Sequence, residues 1–197
     1  MSEANTPDAG RCLSEGWQLY LREPMLLSVA ALIVGIANAV ASWVPFASLL
    51  IGPPLLGSLY LMVMAVDRGD QVSLSNLGDG FKYFLPLVLA SVLVSIIIGV
   101  GLILLVIPGL YFALAYGFTT LNIVDKGLEF WPAMETSRKT ITSVFWSYLV
   151  LGILMLVIII IGSIPFGLGL VVAIPVCIAA QYSYYKALHS DESGEVI

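Results

Sequence analysis

The sequence predicts an all-α integral membrane protein, a six-helix bundle built of three transmembrane hairpins with short interfacial helices. Hydrophobic residues make up 59% of the 197 residues and charged residues only 11%, and the mean hydropathy is +1.00. Soluble domains carry about 25% charged residues, so this composition is typical of a membrane protein. The eight Lys and Arg residues lie in four short stretches that flank three uncharged runs, 24–66, 83–124 and 140–185.

Each uncharged run is long enough to cross a bilayer twice. A hydrocarbon core about 30 Å thick is spanned by roughly 20 helical residues, because an α-helix rises about 1.5 Å per residue. Glycine and proline residues mark a turn near the middle of each run, at 43–46, 99–101 and 162–167. The predicted spans are 25–44, 46–66, 83–100, 103–124, 143–162 and 167–186.

Every charged stretch is expected on one side of the membrane, because a hairpin returns the chain to the side from which it left. That side is predicted to be the cytoplasm, since Lys and Arg near span ends are retained there. Both termini are therefore predicted to be cytoplasmic. The predicted domains are an N-terminal tail with an interfacial segment at 1–24, the transmembrane domain at 25–186 and a C-terminal tail at 187–197.

A short segment with apolar side chains at helical spacing precedes each predicted hairpin. Spacings of three and four residues place each apolar set on one helix face, as a helix lying at the lipid surface requires. For the first two segments the alternative, that they are only extended ends of the spans, stays open. The three sets are Leu13, Trp17, Tyr20 and Leu21; Leu77, Phe81, Phe84 and Leu85; and Phe130, Met134, Ile141 and Phe145.

Proline occurs in the second predicted span of every hairpin, as Pro53-Pro54, Pro108 and Pro175. An interior proline removes a backbone hydrogen bond and kinks the helix. The charged segments that follow the second span of the first two hairpins, which we call the exits, also match each other. They are Asp67-Arg68-Gly69 and Asp125-Lys126-Gly127. We therefore interpret the three hairpins as degenerate copies of one unit, arranged as parallel repeats about an axis along the membrane normal.

The polar residues of the spans indicate helix packing rather than chemistry. The uncharged runs contain no Asp, Glu, Lys or Arg, so a proton or ion pathway through charged groups is not expected. Asn38 and Gln181 are the candidate intramembrane polar contacts, because such amides usually join helices by hydrogen bonds. The sequence shows no catalytic triad, no phosphate-binding loop and no clustered His and Cys. No catalytic, cofactor-binding or metal-binding residue is predicted, and the protein is expected not to be an enzyme.

The most distinctive inner stretch is 125–139. Pro132 suits the first turn of a helix, and the basic pair Arg138-Lys139 comes late, as the helix dipole favours. Together with Ile107-Pro108-Gly109, a helix ending in Ser137-Arg138 resembles the membrane domain of glycerophosphoryl diester phosphodiesterases. The chain is equally similar to related stand-alone bacterial multi-span proteins without assigned activity. The resemblance, which covers 80–188, implies a bacterial inner-membrane module that anchors or accompanies another component, without the family's separate catalytic domain.

These observations predict a non-enzymatic accessory or scaffold protein that acts through its cytoplasmic face. The alternative is a small transporter or lipid-handling protein, in which Asn38 and Gln181 would face the substrate. Expected partners are membrane lipids and a membrane or cytoplasmic protein, with no cofactor. Nucleic acid is not expected, because the chain has no cluster of basic residues. The face predicted to meet a partner or lipid headgroups comprises Glu129, Trp131, Glu135, Arg138 and Lys139.

Overall fold

The computed structural model describes residues 6–44, 47–164 and 167–193, with side chains described as far as residue 189. Within these ranges the chain is helical between short turns and contains no β-strand, which confirms the predicted all-α class. A 3₁₀ helix, Leu74–Tyr83, precedes α4. The α-helices are α1 (Ala9–Arg22), α2 (Pro24–Ala41), α3 (Ala47–Arg68), α4 (Phe84–Leu104), α5 (Val106–Ala115), α6 (Thr119–Lys126), α7 (Phe130–Ser143), α8 (Phe145–Ser163) and α9 (Leu170–Ser193).

Five helical segments of the described chain are long and apolar enough to cross a membrane. The sixth predicted span, 167–186, falls on α9, which is not one of the five because Gln181, Lys186 and the residues between them make its second half polar. The fold is therefore compatible with a multi-pass membrane protein, with five rather than six candidate spans in the described ranges. The five are Pro24–Ala41, Ala47–Arg68, Leu74–Leu104, Val106–Lys126 and Phe145–Ser163.

The second hairpin turns later than predicted. α4 continues through 99–101, and the chain turns at Leu105, whose extended backbone (φ −158°, ψ 135°) separates α4 from α5. The turn predicted at 99–101 is therefore wrong. The other two predicted turns include Pro45-Phe46 and Pro165-Phe166, which lie outside the described residues.

Gly101 allows α4 and α5 to pack closely on either side of this turn. A Cβ atom at Gly101 would lie 2.9 Å from the Cα atom of Gly109 and 3.0 Å from its nitrogen, which is too close for any other residue. Small residues permit such backbone contacts between membrane helices. The glycines at 99–101, which predicted a turn, therefore lie within α4, and Gly101 allows this helix to pack closely against α5 beside the turn.

The position of proline within its helix also differs from the prediction in the second hairpin. Pro53, Pro54 and Pro175 lie inside α3 and α9, as predicted. Pro108, however, is the third residue of α5, where a backbone N–H has no intrahelical acceptor and proline removes no hydrogen bond. The interior kink predicted at Pro108 is therefore wrong. The second span of this hairpin is interrupted further along, at 116–118, between α5 and α6.

Buried residues are concentrated at the end of the bundle that carries the charged residues, which we call the inner end. On α4, Ala90 is 3% exposed and Ile103, at the opposite or outer end, is 85% exposed. On α8, Leu151 is completely buried whereas Ile161 is 60% exposed. The outer end therefore presents apolar side chains outward, as helices do where lipid tails replace protein contacts.

The N-terminal helix α1 packs against α9. A Cβ atom at Gly16 would collide with backbone atoms of Ala180, so the two helix backbones touch at this point. Of the predicted apolar face, Tyr20 is buried, but Trp17 and Leu21 are exposed. The contact with the bundle is made by a neighbouring face with small residues, so the predicted face is only partly correct. The buried residues of α1 are Ala9, Cys12, Gly16, Leu19 and Tyr20.

Candidate functional site

The interruption between α5 and α6 is held by a serine of a neighbouring helix. Ser137 of α7 is completely buried, and its hydroxyl group donates a hydrogen bond to the Ala115 carbonyl oxygen at 2.8 Å. The Ser137 hydroxyl oxygen in turn accepts a hydrogen bond from the Phe118 N–H at 3.0 Å. A continuous helix would supply such partners itself, and an unpaired buried backbone group would be costly. The interruption is therefore a satisfied feature of the fold that ties α5 and α6 to α7.

Gln181 of α9 binds the same interruption. Its Nε2 donates to the Gly117 carbonyl oxygen at 2.8 Å and to the Tyr148 hydroxyl oxygen at 2.9 Å. Its Oε1 accepts from the Tyr60 hydroxyl at 2.6 Å. Both amide hydrogens and the amide oxygen are thus engaged, and one side chain joins α3, α8 and α9 to the interrupted span. We call Tyr60, Gly117, Ser137, Tyr148 and Gln181 the central cluster.

Glycine at position 117 is required by this arrangement. A Cβ atom there would collide with the Tyr148 hydroxyl group. Tyr60 and Tyr148 are both buried, so their hydroxyl groups depend on partners within the protein. The side chains of the central cluster are neutral and bond to one another or to the backbone, which makes the cluster a helix junction.

Two aspartates at the inner end bind tyrosines of α9. Asp67, at the end of α3, accepts hydrogen bonds from the Tyr182 hydroxyl at 3.0 Å and from Lys186 Nζ at 2.7 Å. Asp125, at the end of α6, accepts from the Tyr185 hydroxyl at 3.0 Å. The inner ends of α3 and α6 are therefore both tied to the same helix, α9.

The two matching exits share a backbone conformation as well as a sequence. Gly69 and Gly127, each two residues after its aspartate, have φ values of 78° and 63°. These angles fall in the left-handed region, which glycine adopts without a steric penalty and which commonly ends helices. The two exits thus have the same backbone conformation, and Asp67 and Asp125 lie at equivalent positions relative to the ends of their helices.

The predicted partner face lies on α7 and on the residue before it. Trp131, Glu135 and Arg138 follow one another at spacings of four and three, so they share one side of the helix, with Lys139 beside them. Trp131 is 62% exposed, and Glu129, the residue preceding α7, is also exposed. The opposite side of α7 is buried through Ala133, Met134, Ser137 and Ile141.

Both cations of this face bond to Glu135. Arg138 donates from Nε at 3.0 Å and from Nη2 at 2.8 Å, and Lys139 Nζ lies 3.3 Å from the same carboxylate. The Arg138 hydrogen bonds are the main reason why the pKa of Glu135 falls to about 2, and the same contact raises the pKa of Arg138. The three charges are partly exposed, so they contribute little stability, but they hold one another in place.

Asn38 does not belong to the central cluster. Its Nδ2 donates to the Val34 carbonyl oxygen of its own helix at 3.0 Å. Its Oδ1 lies where α2 meets α3, since a Cβ atom at Gly52 would be 2.8 Å away. The two amides predicted as intramembrane contacts therefore have different surroundings, and Gln181 alone connects several helices through its described hydrogen bonds.

The sequence interpretation predicted no contacts for the other side chains of the central cluster, those of Tyr60, Ser137 and Tyr148. One signal was available for Ser137. It lies three residues after Met134 and four before Ile141, on the apolar side of α7, where a hydroxyl group must find a partner when buried. No signal identified the partners themselves, because they lie on helices far away in the sequence.

Comparisons with protein families, with curated proteins and with solved structures found no match. A function for this chain must therefore be inferred from its own residues. The relevant features are the central cluster, the aspartate–tyrosine pairs and the exposed side of α7.

Proposed function

We propose that this chain is a six-span protein of a bacterial inner membrane, with α9 as the sixth span and both termini cytoplasmic. The eight Lys and Arg residues support this orientation, because all of them flank the apolar runs at the inner end. The apolar stretch 170–178 supports a membrane position for α9. The polar residues that follow it are mostly buried against other helices, which lowers their cost in a membrane.

Cysteine labelling from either side of the membrane tests this topology. In a chain with Cys12 and Cys177 replaced by alanine, Asp70→Cys at the inner end should react with a membrane-impermeant maleimide only after the cells are opened. Leu168→Cys, exposed beside the start of α9, should react in intact cells. Lys186→Cys, exposed in the second half of α9, should again react only after the cells are opened, which tests the sixth span. Labelling of Leu168→Cys from the same side as either of the other two positions would contradict the proposal.

Within this membrane the protein has a non-enzymatic accessory or scaffold role, with the exposed side of α7 as its docking surface. The observation that carries this role is the two-sided character of α7. Its buried side is fixed by Ser137 and by Asn122, which donates to an α7 backbone carbonyl oxygen at 3.1 Å. Its other side presents Trp131 and the Glu135–Arg138 pair. Exposed Trp and Arg side chains on a rigid support are typical anchors of protein interfaces.

Co-purification in mild detergent after cross-linking tests the docking surface. Trp131→Ala should release a partner protein, and so should the exchange Glu135→Arg with Arg138→Glu, which reverses the charge pattern but keeps an ion pair within the helix. Trp43→Ala, which changes an even more exposed tryptophan near the outer end, is the control and should retain the partner. Retention by every variant would assign the partner to another surface. Absence of any stoichiometric protein from the wild-type preparation would contradict the scaffold role.

The resemblance to the membrane domain of glycerophosphoryl diester phosphodiesterases adds to this proposal. It rests on Ile107-Pro108-Gly109 and on the α7 stretch that ends in Ser137-Arg138. In such an arrangement a helical membrane module anchors or accompanies a separate component. A co-purified soluble protein would therefore be the kind of partner that this resemblance implies.

A small transporter or lipid-handling protein is the second candidate. The interruption at 116–118 favours it, because interrupted helices often line substrate sites in transporters. The central cluster weighs against it, since Gln181 is fully engaged by protein groups. Lipid-scrambling or uptake assays in proteoliposomes separate the two. A transporter should lose activity in Gln181→Leu and keep it in Asn38→Leu, whereas a scaffold shows no such activity in the wild type.

A further inference from the structure

A half-open groove lies at the inner end, between the end of α3 and the 3₁₀ helix. Its volume is about 340 Å³, which is within the range of small-molecule sites. Leu61, Met62 and Ala65 of α3 supply an apolar part of its lining. The charged residues that line it are Arg68, Asp70, Asp79 and Lys82.

The groove contains charges of both signs in equal number. Arg68 Nε lies 3.2 Å from an oxygen of Asp70, and Lys82 Nζ lies 2.7 Å from an oxygen of Asp79. Asn76 fixes the second oxygen of Asp79 by donating a hydrogen bond at 2.8 Å. Exposed ion pairs of this kind are worth little, so a ligand can exchange its own charges with them at small cost. A ligand of a single sign would meet as much repulsion as attraction, whereas a zwitterion would match both.

The position of the groove places it beside lipid. Phe81 and Phe84, on either side of the groove residues Lys82 and Tyr83 in the chain, have exposed rings that stack at a centroid distance of 6.4 Å. Leu85, at the start of the apolar helix α4, is also exposed. These exposed apolar side chains can contact acyl chains, and the adjacent groove is lined by positive and negative side chains. This combination suits the membrane interface, where lipid tails and headgroups meet.

We propose that the groove between α3 and the 3₁₀ helix binds the headgroup of a zwitterionic phospholipid with a primary ammonium group, a phosphoethanolamine headgroup. Its phosphate bonds to Arg68 and Lys82, since the Arg68 guanidinium has donors beyond the Nε that Asp70 occupies. Its ammonium donates to the carboxylates of Asp70 and Asp79. A choline headgroup has no N–H to donate to these carboxylates, so ethanolamine is preferred. This site does not depend on the scaffold role of α7.

Native mass spectrometry of the purified full chain tests the site. The protein in detergent is mixed with phosphatidylethanolamine, phosphatidylcholine and phosphatidylglycerol of identical acyl chains at equal concentration. We expect about fivefold more bound phosphatidylethanolamine than either other lipid, the size of one or two partly exposed charge-assisted hydrogen bonds. Asp70→Asn should bring the binding of phosphatidylethanolamine down to about that of phosphatidylcholine, because it removes an acceptor of the ammonium group. Arg68→Gln should lower the binding of all three lipids, because each of them carries the phosphate.

A matched pair of control variants comes from α1. Arg11 Nε pairs with Glu15 at 2.9 Å on an exposed surface, as Arg68 does with Asp70, but it does not line the groove. Arg11→Gln and Glu15→Gln should therefore keep the wild-type preference. Equal binding of the three lipids would overturn the proposal. So would an unchanged preference in a folded Asp70→Asn variant, unchanged lipid binding in a folded Arg68→Gln variant, or a preference for phosphatidylglycerol, which would indicate an anion site.

Discussion

The inner and outer ends of the same helices are held in different ways. At the inner end the helices bury their side chains and exchange hydrogen bonds, from the central cluster to the Asp67–Tyr182 and Asp125–Tyr185 pairs. At the outer end, residues such as Ile103 and Ile161 are exposed. The inner end is therefore a packed protein interior, and the outer end is a set of apolar helices with exposed side chains, which is compatible with contact with lipid.

The contrast between the two ends shows which contacts hold helices of this kind in one arrangement. Lipid tails are as apolar as leucine, so apolar burial does not drive membrane helices together. Close backbone contacts and hydrogen bonds that lipid cannot offer do so instead. The glycine contacts and polar side chains of the inner end should therefore control much of the stability, and changes at the outer end should matter less unless they fall on a close contact such as Gly101–Gly109.

The largest effect is expected for Gly16→Ala at the inner end. The new Cβ atom would collide with the backbone of Ala180, which cannot move aside as a flexible side chain would, so we expect a loss of about 3 kcal/mol. Gly99→Ala on α4 is the control, because no described atom lies within 4 Å of a Cβ there. Thermal unfolding in detergent measures both. A comparable loss in Gly99→Ala would remove the contrast between the two ends.

Gln181→Leu is expected to cost about 2 kcal/mol, because it leaves the Gly117 carbonyl and two buried tyrosine hydroxyls without their partner. Asn38→Leu, near the outer end of α2, removes only a bond within its own helix and should cost about 0.5 kcal/mol. Chemical denaturation in mixed micelles measures both free energies of unfolding. Equal losses would show that the central cluster is no more important than an isolated amide.

Within the inner end, the two aspartate–tyrosine pairs are expected to differ in strength. Tyr182→Phe should cost about 1 kcal/mol and Tyr185→Phe about 0.5 kcal/mol. The reason is that Asp67, the partner of Tyr182, is the less exposed carboxylate, and hydrogen bonds are stronger away from water. Hydrogen exchange at the ends of α3 and α6 locates each loss. The reverse order would show that exposure of the aspartate does not decide the strength of the pair.

The smallest effect concerns the exposed side of α7. Contact with Arg138 lowers the pKa of Glu135 from 4.5 to about 2 in the folded protein. A lowered pKa means that the ion pair stabilises the fold above about pH 4.5 and that this stabilisation disappears as the pH falls towards 2. The melting temperatures of wild type and Glu135→Gln should therefore differ slightly at pH 6, differ less at pH 3 and converge towards pH 2. Complete convergence already at pH 4 would contradict the lowered pKa.

Several features of the fold could be predicted because they depend on neighbours in the sequence. The apolar runs, the interior positions of Pro54 and Pro175, and the helix over 130–143 follow from local hydropathy and spacing. The candidate site was predicted less completely. Gln181 stood out as an amide in an apolar run, but Tyr60 and Tyr148 resemble any other aromatic residue of a membrane helix.

The all-helical class, the long apolar segments and the gathering of charge at one end follow from the amino-acid sequence, because hydropathy acts on each segment separately. The turn at Leu105 and the interruption at 116–118 depend instead on tertiary contacts. Both depend on partners that local periodicity does not reveal. The Gly101–Gly109 contact joins two helices, Ser137 reaches the interruption from α7, and Gln181 meets Tyr60 across 121 residues of chain.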